Sequence, residues 1–230
     1  MTRFIGKALI GLTFLLFTSC GIAYEFIFPV HTFKSKNITS YNIKKLALLP
    51  IIPDTKDSSG TFFSTNYFCD LLADEYPNLE IANIDDIRKH ESDFIPDMIK
   101  DLKQFRILNK RGFLETDLGI SLNDWKCDAV IVGCVDSTVY QSSWVMTETL
   151  PGVSKGRKTI CYFSYFLVSM KDGKVLWKSS AKGSEIFLGK RVDKRGNQLI
   201  IYPPVDNAIT NGLELVAEEF PKELLPKGYK

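Results

Sequence analysis

Histidine, the residue that most often carries out acid–base chemistry or binds transition metals, is scarce in this 230-residue chain. Its two histidines, His31 and His90, are far apart, and neither lies near a cysteine in the sequence. The acids at positions 85–97 include Asp85 and Asp86, but no calcium-loop pattern surrounds them. We therefore expect a solvated acidic helix face, with no metal ligand and no cofactor.

A glycine-rich basic segment and the serines of the chain also do not fit catalytic motifs. Gly152–Lys158 is basic and rich in glycine, but it lacks the spacing of a phosphate-binding loop and no strand-to-helix transition surrounds it. Ser142, Ser143 and the other serines lack the flanking glycines of a nucleophile elbow. The sequence thus predicts no catalytic residue and a protein that is not an enzyme.

Cys20 is the residue for which the sequence predicts a defined chemical modification. Arg3 and Lys7 precede an uncharged apolar run over Ala8–Phe17, and two small residues follow directly before Cys20. This is the layout of a secretory signal with its cleavage site. We predict a signal peptide over residues 1–19 and a lipidated cysteine, carrying fatty acids such as palmitate, at position 20.

The residues around the cleavage site predict where the protein resides. Phe17–Gly21 resembles the bacterial lipobox, with Phe17 in place of the usual leucine. An uncleaved membrane anchor over Ala8–Tyr24 is the alternative, and both interpretations place the domain outside the cytoplasm. Gly21 is not the aspartate that retains lipoproteins at the inner membrane, which favours the outer membrane. The domain is then expected in the periplasm or at the cell surface of the envelope.

The charge of the chain is nearly balanced but unevenly distributed. Its formal net charge is +2, which argues against a nucleic-acid partner. Between Pro151 and Ile200, 11 bases face 3 acids. Such a region suits anionic lipid headgroups, the acidic part of a second copy or a protein partner, unless it consists only of solvated loops. We predict a protein-contact surface formed by Trp144, Lys155, Arg157, Lys158, Lys190, Arg191, Lys194 and Arg195.

Four cysteines remain after Cys20. They are Cys69, Cys127, Cys134 and Cys161. Their spacing contains no CxxC pair, so it does not predict a zinc site. An oxidising compartment would allow a disulfide, but their apolar surroundings favour buried free thiols.

The apolar patterns predict one α+β domain. Lys44–Ile51 and Asp128–Val135 are continuous apolar runs, typical of strands buried on both faces. Helical spacing covers Phe62–Glu75 and Val205–Leu225, and Asp-Gly within Lys171–Lys174 indicates a late hairpin. The mixed order predicts a single mixed α/β domain over 44–230, with a mixed central sheet, an antiparallel hairpin and helices packed on it. Residues 20–43 are predicted to form a tether.

Four segments in this order carry a family resemblance. They are Lys44–Ile51, Leu118–Ile120, Cys127–Gly133 and Val168–Trp177. Together they resemble the strands, short helix and hairpin of the curli-secretion lipoprotein and TolB N-terminal-like fold. The resemblance implies a lipoprotein domain over Lys44–Phe220 and no catalytic motif.

The pore of the curli-secretion family inserts long hairpins into the membrane, and this chain departs from that pattern. Its only candidate segments are Ser142–Lys158, predicted as a loop or irregular hairpin, and Glu185–Tyr202. Both are short or rich in charge, so we do not predict a pore. We expect a non-enzymatic, lipid-anchored envelope protein that binds a protein partner or assists assembly or secretion. The alternatives are a homo-oligomeric ring, and a ligand-binding protein or hydrolase whose site is not visible in the sequence.

Overall fold

A mixed six-stranded sheet forms the centre of the fold. The computed structural model describes residues 31–51, 62–82, 95–104, 106–107, 109–147, 152–188, 191–192 and 198–224. The strands of this sheet are β1 (His31–Lys34), β2 (Lys45–Leu48), β3 (Glu80–Ile81), β4 (Ala129–Thr147), β5 (Gly152–Ser169) and β6 (Val175–Leu188). They lie side by side in the order β1-β6-β5-β4-β2-β3. A separate two-stranded sheet consists of β7 (Arg191–Val192) and β8 (Gln198–Leu199).

Helices cover both faces of the central sheet. They are α1 (Phe62–Glu75), α2 (Ile95–Lys103), α3 (Lys110–Leu114), α4 (Asp117–Asp124) and α5 (Val205–Glu218). One apolar core lies between the sheet and α1 with α5, and a second lies between the sheet and α2–α4. The two cores explain why the apolar runs in β2 and β4 are continuous rather than alternating. The predicted α+β class with a mixed central sheet is confirmed.

The parallel part of the sheet is fixed by a carboxylate. β2 pairs in parallel with both β3 and β4. The Asp128 carboxylate, directly before β4, accepts the backbone N–H groups of Lys44 and Lys45 at 2.9 and 3.0 Å. A carboxylate that accepts two N–H groups holds the chain at that point, because charge-assisted hydrogen bonds are stronger than neutral ones. The aspartate of the Cys127–Gly133 motif is therefore a structural residue.

Helix α1 is tied to α5 by a buried acid. Asp206, in the first turn of α5, is only 6% exposed, and its carboxylate accepts the backbone N–H of Ser64 at 3.1 Å. The first N–H groups of a helix have no partner within the helix, so Asp206 supplies one from a neighbouring element. The start of α1 and the start of α5 are thereby held together.

The folded part of the chain begins earlier than the sequence predicts. The prediction places the start of the domain at Lys44, whereas His31–Lys34 forms β1, the edge strand antiparallel to β6. A 3₁₀-helical turn over Ile38–Tyr41 follows, and Ile38 is buried in the core. Sequence periodicity misses β1 because an edge strand of four exposed residues has no apolar alternation. The signal peptide and Cys20 lie outside the described residues.

The sequence predicts a loop or an irregular hairpin over Ser142–Lys158, and the structure has a regular hairpin there. β4 and β5 stay in regular antiparallel register from Ser137↔Tyr162 out to Thr147↔Gly152. Gly156, predicted as part of a turn, pairs with Ser143 on one side and Leu188 on the other. Polar residues are compatible with this ribbon because its backbone groups pair across the strands.

No helix among the described residues is long and apolar enough to span a membrane.

Candidate interaction surface

The β4–β5 hairpin extends well beyond the helices that cover the sheet. We call the paired segments Val139–Thr147 and Gly152–Ile160 the hairpin end. β6 accompanies β5 as far as Leu188, which lies opposite Gly156. The outermost part, Trp144–Thr147 against Gly152–Lys155, is a ribbon of two strands in this sheet. Much of the hairpin end therefore lies outside the two apolar cores.

Three side chains form a cluster on one side of the hairpin end. Tyr140 on β4 stacks against Tyr202, which precedes α5, with ring centroids 5.1 Å apart and planes tilted by 57°. The Arg157 guanidinium on β5 lies 5.9 Å from the centroid of the Tyr202 ring, and it donates a hydrogen bond to the Ser142 hydroxyl. We call Tyr140, Arg157 and Tyr202 the aromatic cluster.

The backbone that carries Tyr202 is held by a buried threonine. The Thr159 hydroxyl donates to the carbonyl of Pro203 at 2.7 Å, and Thr159 is fully buried. Tyr202 is therefore positioned before any partner binds, and Arg157 is held in place by Tyr202 and Ser142. Tyr140 nevertheless leaves 52% of its surface exposed. A preordered Tyr–Arg group with exposed ring area has the chemistry of an interface hot spot.

The structure separates the eight residues predicted as a contact surface. Arg157 belongs to the aromatic cluster. Lys158, by contrast, is only 9% exposed and has partners of its own, so it is not a free contact residue. Arg157 and Lys158 differ in exposure because alternate residues of β5 face opposite sides of the sheet. The contact role of the eight residues stays a prediction.

The remaining predicted contact residues are only partly placed. The backbones of Trp144 and Lys155 pair directly opposite each other in the outermost ribbon. Arg191 lies in β7. Lys190, Lys194 and Arg195 lie outside the described residues.

Sequence reasoning missed Tyr140 and Tyr202. They lie 62 positions apart in the chain, and no local pattern connects them. The chain places them together because the segment before α5 returns across β5. Within the sequence, only the aromatic type of each residue could have indicated a contact role.

A second polar group lies in the sheet at Asp136, where β4 has a bulge between Val135 and Ser137. The Asp136 carboxylate accepts the Ser164 hydroxyl at 2.6 Å and pairs with Lys103 of α2 at 2.8 Å. The Ser164 and Ser180 hydroxyls are 2.7 Å apart. The Asp136 carboxylate thus contacts both β5 and α2. It ties α2 to the sheet.

The four cysteines of the described part of the chain are free thiols. Burial raises the pKa of Cys127 to about 11 and that of Cys134 to about 12. The thiolate is the reactive and metal-binding form, so both groups are inert near neutral pH. Within the described residues, no group of three His, Cys, Asp or Glu side chains is arranged to hold a metal ion.

Comparison with known proteins shows similarity at the level of solved structures. No protein-family model matches the chain, and no curated protein matches it in sequence. The PelC dodecamer from Paraburkholderia phytofirmans is similar with a TM-score of 0.43 and 11% identity over 86% of this chain and 99% of that chain. Lipoprotein GNA1162 from Neisseria meningitidis has a TM-score of 0.35 and 16% identity over 62% of this chain and 83% of its own.

The C-terminal domain of LpoB from Salmonella enterica is also similar, with a TM-score of 0.33 and 11% identity over 62% of this chain and 83% of its own. At such identities the similarity concerns the fold alone.

Proposed function

We propose that this chain is a non-enzymatic lipoprotein of the bacterial cell envelope, anchored through Cys20, that binds a protein partner through the aromatic cluster. The outer membrane is the expected location, with the domain in the periplasm or at the cell surface. The observation that carries the proposal is the preordered group of Tyr140, Arg157 and Tyr202 beside the projecting hairpin, in which Tyr140 is exposed and the other two are half-buried.

The chemistry of the aromatic cluster favours a protein as the partner. Tyrosine and arginine provide apolar area and directional hydrogen bonds together, and both are enriched at the centre of protein interfaces. Because the rings are already stacked, binding costs less side-chain entropy than ordering free side chains would. An acidic or amide-rich partner surface would satisfy the remaining donors of Arg157.

The anchoring step is tested by metabolic labelling with an alkyne analogue of palmitate. The wild-type protein should incorporate the label, and its mature N-terminus in mass spectrometry should be a modified Cys20. Cys20→Ala should abolish labelling, because the acceptor thiol is gone. Cys69→Ala is the matched control and should retain full labelling. An unlabelled wild-type protein that still begins at Met1 would contradict lipidation and support the uncleaved anchor.

Partner binding is tested by photocrosslinking in living cells with a photoreactive phenylalanine in place of Tyr140. We expect one or a few discrete adducts. Their yield should fall about tenfold or more in an Arg157→Glu background, since loss of a hot-spot residue costs 2 kcal/mol or more. Arg111→Glu, the same substitution on α3, is the matched control and should leave the yield unchanged.

The mass of the adduct distinguishes the remaining interpretations. An Arg157-dependent adduct of twice the chain mass would identify a second copy of this chain and favour the homo-oligomer. Adducts that Arg157→Glu does not weaken would contradict binding through the aromatic cluster.

A further inference from the structure

The direction of β1 determines how the chain leaves the domain toward Cys20. His31 pairs with Ser180 and Lys34 with Trp177, so β1 runs antiparallel to β6. Extended upstream of His31, this direction runs along β6 from Ser180 toward Leu188. Leu188 lies beside the hairpin end, opposite Gly156. The chain direction at His31, followed toward Cys20, therefore points to the hairpin end.

The covalent reach of that segment is short. Eleven residues separate Cys20 from His31 in the sequence, and a fully extended chain advances ~3.3–3.6 Å per residue. Whatever its conformation, this segment spans at most about 40 Å. In a domain anchored at Cys20, His31 can therefore lie no more than about 40 Å from the membrane.

The hairpin projects from His31 over a similar distance. His31 lies in register with Ser180, and Ser180 with Ser164. β5 extends from Ser164 back to Gly152, twelve residues farther toward the hairpin end. At ~3.3 Å per residue, that is about 40 Å. When the exit direction of β1 points to the membrane, a tether of this length keeps the outermost ribbon clear of the bilayer only at full extension.

The composition of this end suits a lipid surface. Lys155 lies on β5, and the only acid between positions 137 and 160 is Glu148. Trp144 lies opposite Lys155 in the register. Leu188, opposite Gly156, is 46% exposed. Tryptophan and lysine are residue types found at the headgroup level of membranes.

We propose that the hairpin end rests on the anionic headgroups of the membrane that holds Cys20. The proposal rests on the anchoring at Cys20 described above and adds the orientation of the domain. Tyr140 lies seven residues inward from Thr147, which is about 23 Å along β4. The aromatic cluster then stays above the headgroups, and the protein partner approaches it from within the space next to the membrane.

The orientation is tested with the full lipidated protein in nanodiscs that contain phosphatidylglycerol and headgroup-labelled nitroxide lipids. A fluorescent amino acid replaces Ser154 in one variant and Asn78 in the other. Asn78 lies just before β3, which pairs with the start of β2, at the end of the sheet opposite the hairpin. We expect quenching at Ser154 to exceed quenching at Asn78 by about threefold or more, because nitroxide quenching acts only over short distances and anionic headgroups attract the basic residues of the hairpin end. In a Lys155→Glu background, the difference in quenching between the probes at positions 154 and 78 should become smaller.

Several results would overturn the orientation. Equal quenching at the two positions, or stronger quenching at Asn78, places the hairpin end away from the membrane. Quenching at Ser154 that appears only after envelope extract is added would show that the hairpin end contacts a protein rather than lipid. A protein that is labelled by palmitate and held in the nanodisc without quenching at Ser154 contradicts the orientation alone. A chain that carries no lipid and does not enter the nanodisc contradicts the anchoring as well.

Discussion

Trp177→Ala is expected to lower the free energy of unfolding by about 3–5 kcal/mol, the range measured when buried tryptophan or phenylalanine is truncated. Trp177 on β6 is fully buried, and its indole N–H donates to the carbonyl of Glu219 at 2.9 Å. Its ring meets that of Phe220 edge-on, with centroids 5.1 Å apart. The substitution removes a large apolar side chain and releases the chain that follows α5. Urea unfolding of the purified protein should show the loss, and the melting temperature should fall by roughly 10 °C.

Two control variants separate the contributions of the ring and of its donor. Trp177→Phe retains most of the apolar contact and loses the hydrogen bond, so we expect a smaller cost of about 1–2 kcal/mol. Trp125, which is half-buried at the end of α4, is the matched position, and Trp125→Ala should cost clearly less than Trp177→Ala. Equal losses at the two positions would refute the special role of Trp177.

Gly183→Ala is expected to be destabilising by about 2–3 kcal/mol even though it adds a single methyl group, since overpacking a close contact commonly costs this much. An ideal Cβ at Gly183 would lie only 1.7 Å from the carbonyl oxygen of Ala208 in α5. The clash involves backbone, so no side-chain rotation relieves it. An ideal Cβ at Gly212, on the same helix, would lie 2.9 Å from the Phe163 ring and 3.1 Å from the carbonyl oxygen of Lys182. Helix α5 must therefore move away from the sheet.

Thermal unfolding monitored by circular dichroism measures this effect. Asn207→Ala is the control, because Asn207 is exposed on α5 next to Ala208 and surface substitutions usually change stability by less than about 0.5 kcal/mol. A Gly183→Ala protein with the stability of wild type would show that α5 does not pack on β6 at this distance.

Elements with a strong local pattern could be predicted from the sequence. The continuous apolar run Lys44–Ile51 contains β2, and helix α1 spans the predicted Phe62–Glu75. The Asp-Gly turn lies between β5 and β6, where Gly173 has a φ of 71°. These features depend on neighbours in the chain, which the sequence displays directly.

The candidate site was predicted only in part. Arg157 was included because it lies in a basic stretch, but the same reasoning included Lys158, whose side chain is buried. Charge counting cannot separate adjacent residues of a strand, because their side chains point to opposite faces. The length of the hairpin was underestimated for a related reason, since its polar residues resemble a loop when their pairing partners are not known.

By itself, the sequence determined the local elements β2, α1 and the turn before β6, because each depends on residues that are close together in the chain. Lipid attachment at Cys20 is a prediction of the same local kind. Only the tertiary structure decided that His31–Lys34 joins the sheet, that Tyr140 meets Tyr202, and that Gly183 lies against Ala208. These contacts connect residues that are distant in the chain. Their geometry follows from how the sheet and helices pack, which no local pattern encodes.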